Sequence, residues 1–128
     1  MQDFAIRLSD RPGELARVAT ALSRYGVNIK SLAGLAADGQ VVVRILADNA
    51  DAARSAFEAN QIAFDDDEVI SVLLENRAGK LATVCQKLGD AHVNLKAIYL
   101  TGIVDDLVEL AIVPDNASKA RDALRDVM

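Results

Sequence analysis

The sequence predicts an α+β fold built from two tandem copies of one βαββαβ unit, each an antiparallel sheet with its helices on one face. Three observations carry the prediction. The stretch DRPGELARVATALSRYGVNI (10–29) returns 66 residues later as NRAGKLATVCQKLGDAHVNL (76–95). A period-two alternation of apolar residues precedes each copy, and a helical stripe runs through it. A further matched pair, VVVRILADN (41–49) and VELAIVPDN (108–116), follows at nearly the same offset.

Each element follows from its period. In FAIRLS (4–9), Phe4, Ile6 and Leu8 share one face of a strand, with Ala5 and Arg7 on the other. Leu15, Val18, Ala19, Leu22 and Tyr25 then recur at three- and four-residue steps, the inward stripe of an amphipathic helix, and Gly26 is its left-handed stop. A strand from Asn28, a turn at Asp38-Gly39 and the strand VVVRILA (41–47) form a hairpin. A short helix from about Asp51 carries Ala53, Ala56 and Phe57 inward, and a last strand containing Ile62 and Phe64 completes the unit. The acidic run DDDE (65–68) marks the junction, so the domains are 1–67 and 68–128. The second copy repeats the pattern, with a turn one residue longer, and ends in or just after its last helix. Its sheet is therefore expected to lack a fourth strand, leaving an edge for the other repeat or a second chain to cover. At about 65 residues each, such units are marginal alone, which favours association.

Composition narrows the function. With 14 basic and 19 acidic residues the net charge is -5, which repels nucleic-acid backbones and anionic membrane surfaces, so neither is an expected partner. No run approaches the ~18 apolar residues of a membrane span, and MQDFAIRLSD has neither the basic start nor the apolar stretch of a signal peptide; the chain reads as cytoplasmic. The lone Cys85 has no second thiol for a disulfide or a metal site and aligns with Ala19 on the inward stripe, where a buried, inert thiol is expected. His92, the only histidine, falls where Gly26 ends the first helix and reads as a helix-end residue. No cofactor is implied, no catalytic constellation is present, and the acidic runs at 65–67 and 105–106 read as solvated turns, with a weak cation site as the alternative.

The helix tips are the candidate sites. The first amides of a helix lack partners inside it and sit at the positive end of its dipole, so a small anion fits there. Pro12 sacrifices no needed donor, Gly13 admits close approach, and Asn28 opens the next strand nearby, while Asp10 can accept from an ammonium group. Together they suit a zwitterion, a free amino acid. The same residues are also the ordinary grammar of a strand-to-helix junction. A helix end contributes only about 0.3–1 kcal/mol to an exposed anion, whereas millimolar binding needs about 4 kcal/mol. A second wall, from another repeat or subunit, is required.

These residues resemble the ACT domain, a small βαββαβ regulatory module of amino-acid metabolism with a ferredoxin-like fold. The RPG-L and G-VNI elements, in order and with a helix between them, carry the resemblance, and it extends over nearly the whole chain as a tandem pair. It implies side-by-side association into a joined sheet and amino-acid binding where the first loop of one domain faces the second strand of another; the uncovered edge of the second sheet independently makes a homodimer the expected assembly. By position it implies Asp10, Arg11, Pro12, Gly13 and Asn28 in the first copy, and Asn76, Arg77, Gly79 and Asn94 in the second. Ala78 stands where the motif has proline, His92 where it has glycine, and Asp10 where many members have asparagine, so the two sites need not be equivalent. With no effector domain in the chain, a partner enzyme or transcriptional regulator is implied.

Rival readings remain. Some members of the family are dimerisation scaffolds without a ligand. An RNA-binding module of this strand order needs stacking aromatics on its open face, where Ala5, Arg7, Val42 and Arg44 stand instead. A metal-carrying ferredoxin-like domain needs thiols in its first loop, and these are absent. An acylphosphatase-like enzyme would pair a loop arginine with an asparagine, as Arg11 and Asn28 weakly suggest.

Overall fold

The computed structural model describes residues 1–127. The chain folds as two compact units, Met1–Asp67 and Glu68–Met128. The first contains β1 (Gln2–Ser9), α1 (Glu14–Arg24), β2 (Ile29–Ala37), β3 (Gln40–Ala47), α2 (Ala50–Ala59) and β4 (Asp65–Glu68), whose last residue reaches into the second unit. The second contains β5 (Ile70–Glu75), α3 (Lys80–Asp90), β6 (Leu95–Val104), β7 (Leu107–Pro114) and α4 (Ala117–Ala123). The sheet orders are β2-β3-β1-β4 and β5-β7-β6. Antiparallel register sets Ile6 opposite Val43 and Leu32 opposite Ile45 in the first sheet, and Val72 opposite Leu110 in the second.

Each sheet packs one face against its helices, while burial extends to both faces along Asp3–Ile6 of β1, Ile45–Ala47 of β3 and Leu110–Pro114 of β7. Phe4, Ile6 and Leu8 of β1 join Val43 and Ile45 of β3 beneath Val18, Ala21 and Leu22 of α1 and Ala53, Ala56 and Phe57 of α2. Ile70, Val72, Leu74, Val84, Leu88, Leu110, Ile112, Ala120 and Leu124 repeat the arrangement without an aromatic ring. The first core adds a triangle of Phe4, Phe57 and Phe64, with ring centroids 5.4–5.7 Å apart, two of the three contacts edge-on.

Helix ends repeat as faithfully. At the end of α1, Gly26 is left-handed (φ 68°); its amide donates to the Ser23 carbonyl and that of Val27 to the Leu22 carbonyl, a Schellman motif. His92 takes the same part after α3 (φ 58°), with His92 bonded to Gly89 and Val93 to Leu88, which makes it the helix-end residue the alignment predicts. Gln61 closes α2 in the same way at φ 55°, unmarked in the sequence by glycine or asparagine.

Four expectations are corrected. The last strand of the first unit is the acidic run itself, not the segment around Ile62 and Phe64, which lead into it. Asp65, Asp66 and Asp67 alternate along β4 and each meets a different cation: Arg7 at 3.2 Å, Arg54 at 2.8 Å and Arg44 at 3.9 Å. Charged edge strands resist pairing with foreign strands. Second, both hairpin turns are of equal length, closed by Ala37 opposite Gln40 and Val104 opposite Leu107; the extra residue of the second copy is taken up by a bulge between Leu100 and Gly102. Third, the apolar stripe of α1 is wider than its buried face. Val18, Ala21 and Leu22 are buried, while Leu15 and Ala19 flank them in solvent. Fourth, Cys85 shares the position of Ala19 on α3 and is therefore exposed.

Candidate functional site

Each helix tip forms in the same way. The amide of Arg11 donates to the Ser9 carbonyl and that of Arg77 to the Glu75 carbonyl, turning the chain sharply after the strand. Gly13 and Gly79, left-handed at φ 88° and 90°, are the N-cap residues, and no side chain caps either helix. Pro12 thus lies in the turn before the helix rather than in its first turn. A Cβ at either glycine would meet nothing within 4 Å, so the glycines are there for the backbone angle and leave open space beside the tip.

Side chains distinguish the two loops. In the first, the Arg11 guanidinium reaches Glu14 at 3.1 Å and Arg17 approaches the same carboxylate at 3.4 Å. The hydrogen bond from Arg11, helped by Arg17 and opposed by desolvation, holds the Glu14 carboxyl below its ordinary value. Asp10 is exposed. In the second loop Asn76 replaces Asp10 and Lys80 replaces Glu14; Arg77 pairs with Glu75 at 2.9 Å, and Lys80 lies 3.8 Å from the same carboxylate.

Asn28 and Asn94 are not brought to their own loops. Ser9, at the root of the first loop, pairs with Gln40, whereas Ile29, next to Asn28, pairs with Ala47 at the other end of the sheet. Seven residue steps from Gln40 to Ala47, at about 3.4 Å each, separate the two ends by roughly 24 Å. The helix between them makes this unavoidable, because it carries the chain back along the strand it leaves. Instead, Asn28 donates its amide and side chain to the Asp48 carboxylate at 3.1 and 3.2 Å, while the Asp48 amide donates back to the Asn28 carbonyl. The backbone amides of Asn94 and Asp115 repeat this exchange. The pairing of Arg11 with Asn28 on one phosphate, needed by an acylphosphatase-like reading, is therefore not available within the unit.

The second loop opens onto a cavity of about 230 Å³ lined by Asn76, Arg77, Lys80 and Glu75 at its polar side and by Leu81, Leu100, Val108 and Leu110 among its apolar residues. Leu81 and Leu100 are half exposed because they wall this space. A charged rim over an aliphatic wall suits a small amphiphilic carboxylate. Sequence reasoning named Asn76 and Arg77 but missed Lys80, Leu100 and Val108. The only signal for Lys80 was its replacement of Glu14 in an otherwise matched loop.

The acidic run does not form a cation site, since its three aspartates are taken by arginines, and among the described residues no group of histidine, cysteine and acidic side chains has a metal-binding arrangement. No described helix is long and apolar enough to cross a membrane.

Residues 4–55 match the family model of the ACT domain. Among curated proteins, no sequence matches the chain. Solved structures share the fold. Protein BT0572 from Bacteroides thetaiotaomicron superposes with a TM-score of 0.86 at 22% identity, over 98% of this chain and 86% of that one. The regulatory subunit of aspartate kinase from Thermus thermophilus, in its ligand-free form, gives a TM-score of 0.66 at 18% identity, over 99% of this chain and 91% of that one. The corresponding subunit from Thermus flavus gives 0.64 at 20% identity, over 98% and 90%.

Proposed function

We propose that the chain is a non-catalytic regulatory module that binds a free amino acid or a related carboxylate at its β-α loops and passes the bound state to a partner enzyme or transcriptional regulator. The observation that carries this reading is the cavity beside the second loop, with Arg77 and Lys80 at its rim and Leu81, Leu100 and Val108 behind them. It offers what a bare helix end lacks. Hydrogen bonds to charged groups contribute about 1.5–3 kcal/mol each, so two of them bring millimolar binding, at about 4 kcal/mol, within reach. The regulatory part of the proposal is supported by the ACT match over residues 4–55 and by the two aspartate kinase regulatory subunits that share the fold.

Asn28 and Asn94 belong to this proposal as contributions from a neighbour. Each lies a strand length from its own loop, so Asp10, Arg11, Pro12 and Gly13, or Asn76, Arg77 and Gly79, meet such an asparagine only where another unit docks. A homodimer supplies that neighbour. Differential scanning fluorimetry against all common amino acids tests the reading: a ligand at 100 times its dissociation constant stabilises by about 2.7 kcal/mol, and Gly79→Val, which no left-handed position accommodates, should abolish the shift. Absence of any shift would support the second reading, a ligand-free dimerisation scaffold. That reading has its own observation in the exposed apolar side chains of α1 and β2, namely Leu15, Leu32 and Leu35.

A further inference from the structure

The two loops share a backbone but not a chemistry. At four matched positions the first unit has Ser9, Asp10, Arg11 and Glu14, and the second has Glu75, Asn76, Arg77 and Lys80. The first set sums to one negative charge and the second to one positive charge. Arg11 is engaged by Glu14, so an incoming carboxylate would meet a carboxylate there. In the second unit the corresponding position is Lys80; Arg77 and Lys80 hold Glu75 much as Arg11 and Arg17 hold Glu14, so the difference between the loops is the sign of the side chain at the first helical turn.

The walls differ as well. Register sets Leu100 opposite Leu110 and Gly34 opposite Val43, so the matched position that presents a leucine to the cavity in the second unit has no side chain in the first. Leu74, Leu81, Leu100, Val108 and Leu110 give the wall no hydrogen-bonding side chain, so a polar ligand side chain held against it would go unpaired.

Building on the binding reading above, we propose that the units are functionally unequal. The second takes one amino acid with an aliphatic side chain, its carboxylate on Arg77 and Lys80, its ammonium on Glu75 and its side chain against Leu81, Leu100 and Val108. The first unit, lacking the counterparts of Lys80 and Leu100, does not bind it.

Isothermal titration calorimetry of the full chain with L-leucine tests this, with glycine, L-aspartate and L-leucinamide as comparison probes. The expected result is one equivalent of L-leucine per chain, with L-leucinamide and glycine each weaker by about tenfold or more, since a lost charge-assisted hydrogen bond or a lost buried side chain has that effect. Lys80→Glu and Leu100→Gly should each weaken L-leucine binding by about tenfold or more, with circular dichroism confirming that both variants fold. The double variant Glu14→Lys, Gly34→Leu should gain a second equivalent; a Cβ at Gly34 would touch only Val43, at an ordinary 3.8 Å. Two equivalents in the unmodified chain or a graft that still binds one equivalent would overturn the inequality, and tighter binding of L-aspartate would overturn the aliphatic preference, each while leaving small-molecule binding intact. No binding of any common amino acid would overturn both.

Discussion

Single residues at helix ends carry a measurable part of the stability. His92 occupies a left-handed conformation that its counterpart Gly26 adopts without a Cβ, and an L-residue there costs roughly 1–2 kcal/mol. His92→Gly is therefore expected to raise stability by up to about 1 kcal/mol and Gly26→Ala to lower it by about the same, as read from urea denaturation midpoints. Glu14 makes a pH-dependent contribution. Its carboxyl is held below the ordinary value of 4.5 chiefly by Arg11, so its stabilisation is complete above that value and is lost as the pH falls through the lower folded-state value. The melting-temperature difference between the unmodified chain and Glu14→Gln should stay constant from pH 6 to 8 and shrink below about pH 4.5. A difference that grows on acidification would reverse the assigned sign. The helix stop at Gly26 was legible because glycine marks its own backbone angle, whereas Gly13 was read for close approach to the tip and its part as N-cap emerged only with the left-handed φ. Gln61 was not legible, since nothing in that side chain announces φ 55°.

Among the elements, β4 departs furthest from the sequence pattern. A strand is read by alternation of apolar with polar residues, and DDDE has none. Its alternation lies in its partners: Arg7 and Arg44 on one face of the sheet take Asp65 and Asp67, and Arg54 of α2 takes Asp66 on the other. Arg54 also lies 5.7 Å over the Phe4 ring, and its own proton is held more firmly than usual, first by the hydrogen bond to Asp66. Replacing all three aspartates by asparagine should release β4, seen as faster amide exchange at 65–68 and in the adjacent edge of β1, with β5–β7 unchanged. Unchanged exchange would mean that the backbone ladder holds β4 without its ion pairs. The other strands and the four described helices were readable from period and turn residues in the first copy and from the repeat in the second, whereas the cavity wall was not. Leu100 stands beside a bulge that no local pattern marks, and its role emerges only from its register opposite Leu110.

For the whole molecule, unpartnered surface points to association. In the second sheet β5 is an edge strand, at the position beside which β4 pairs in the first, and Leu73 on it is exposed. The flanks of α1 and α3 leave Leu15 and Leu81 outside, and β2 exposes Leu32 and Leu35. Analytical ultracentrifugation is expected to give a dimer at micromolar concentration, and Leu32→Asp with Leu35→Asp to weaken it by at least about tenfold, since burying an unpaired charge costs several times the 1.4 kcal/mol of a decade. A monomer at all concentrations would remove the neighbour that the distance between loop and asparagine requires.

If the second loop and its aliphatic wall hold a small carboxylate, the amides beside them must respond to it. A nitrogen-15 NMR titration of the full chain with L-leucine tests this most directly. Saturable shifts confined to the amides of 75–81 and those around Leu100 and Val108, with 9–15 unmoved, are the predicted result. Shifts centred on the first loop, or a spectrum indifferent to the amino acid, would contradict it.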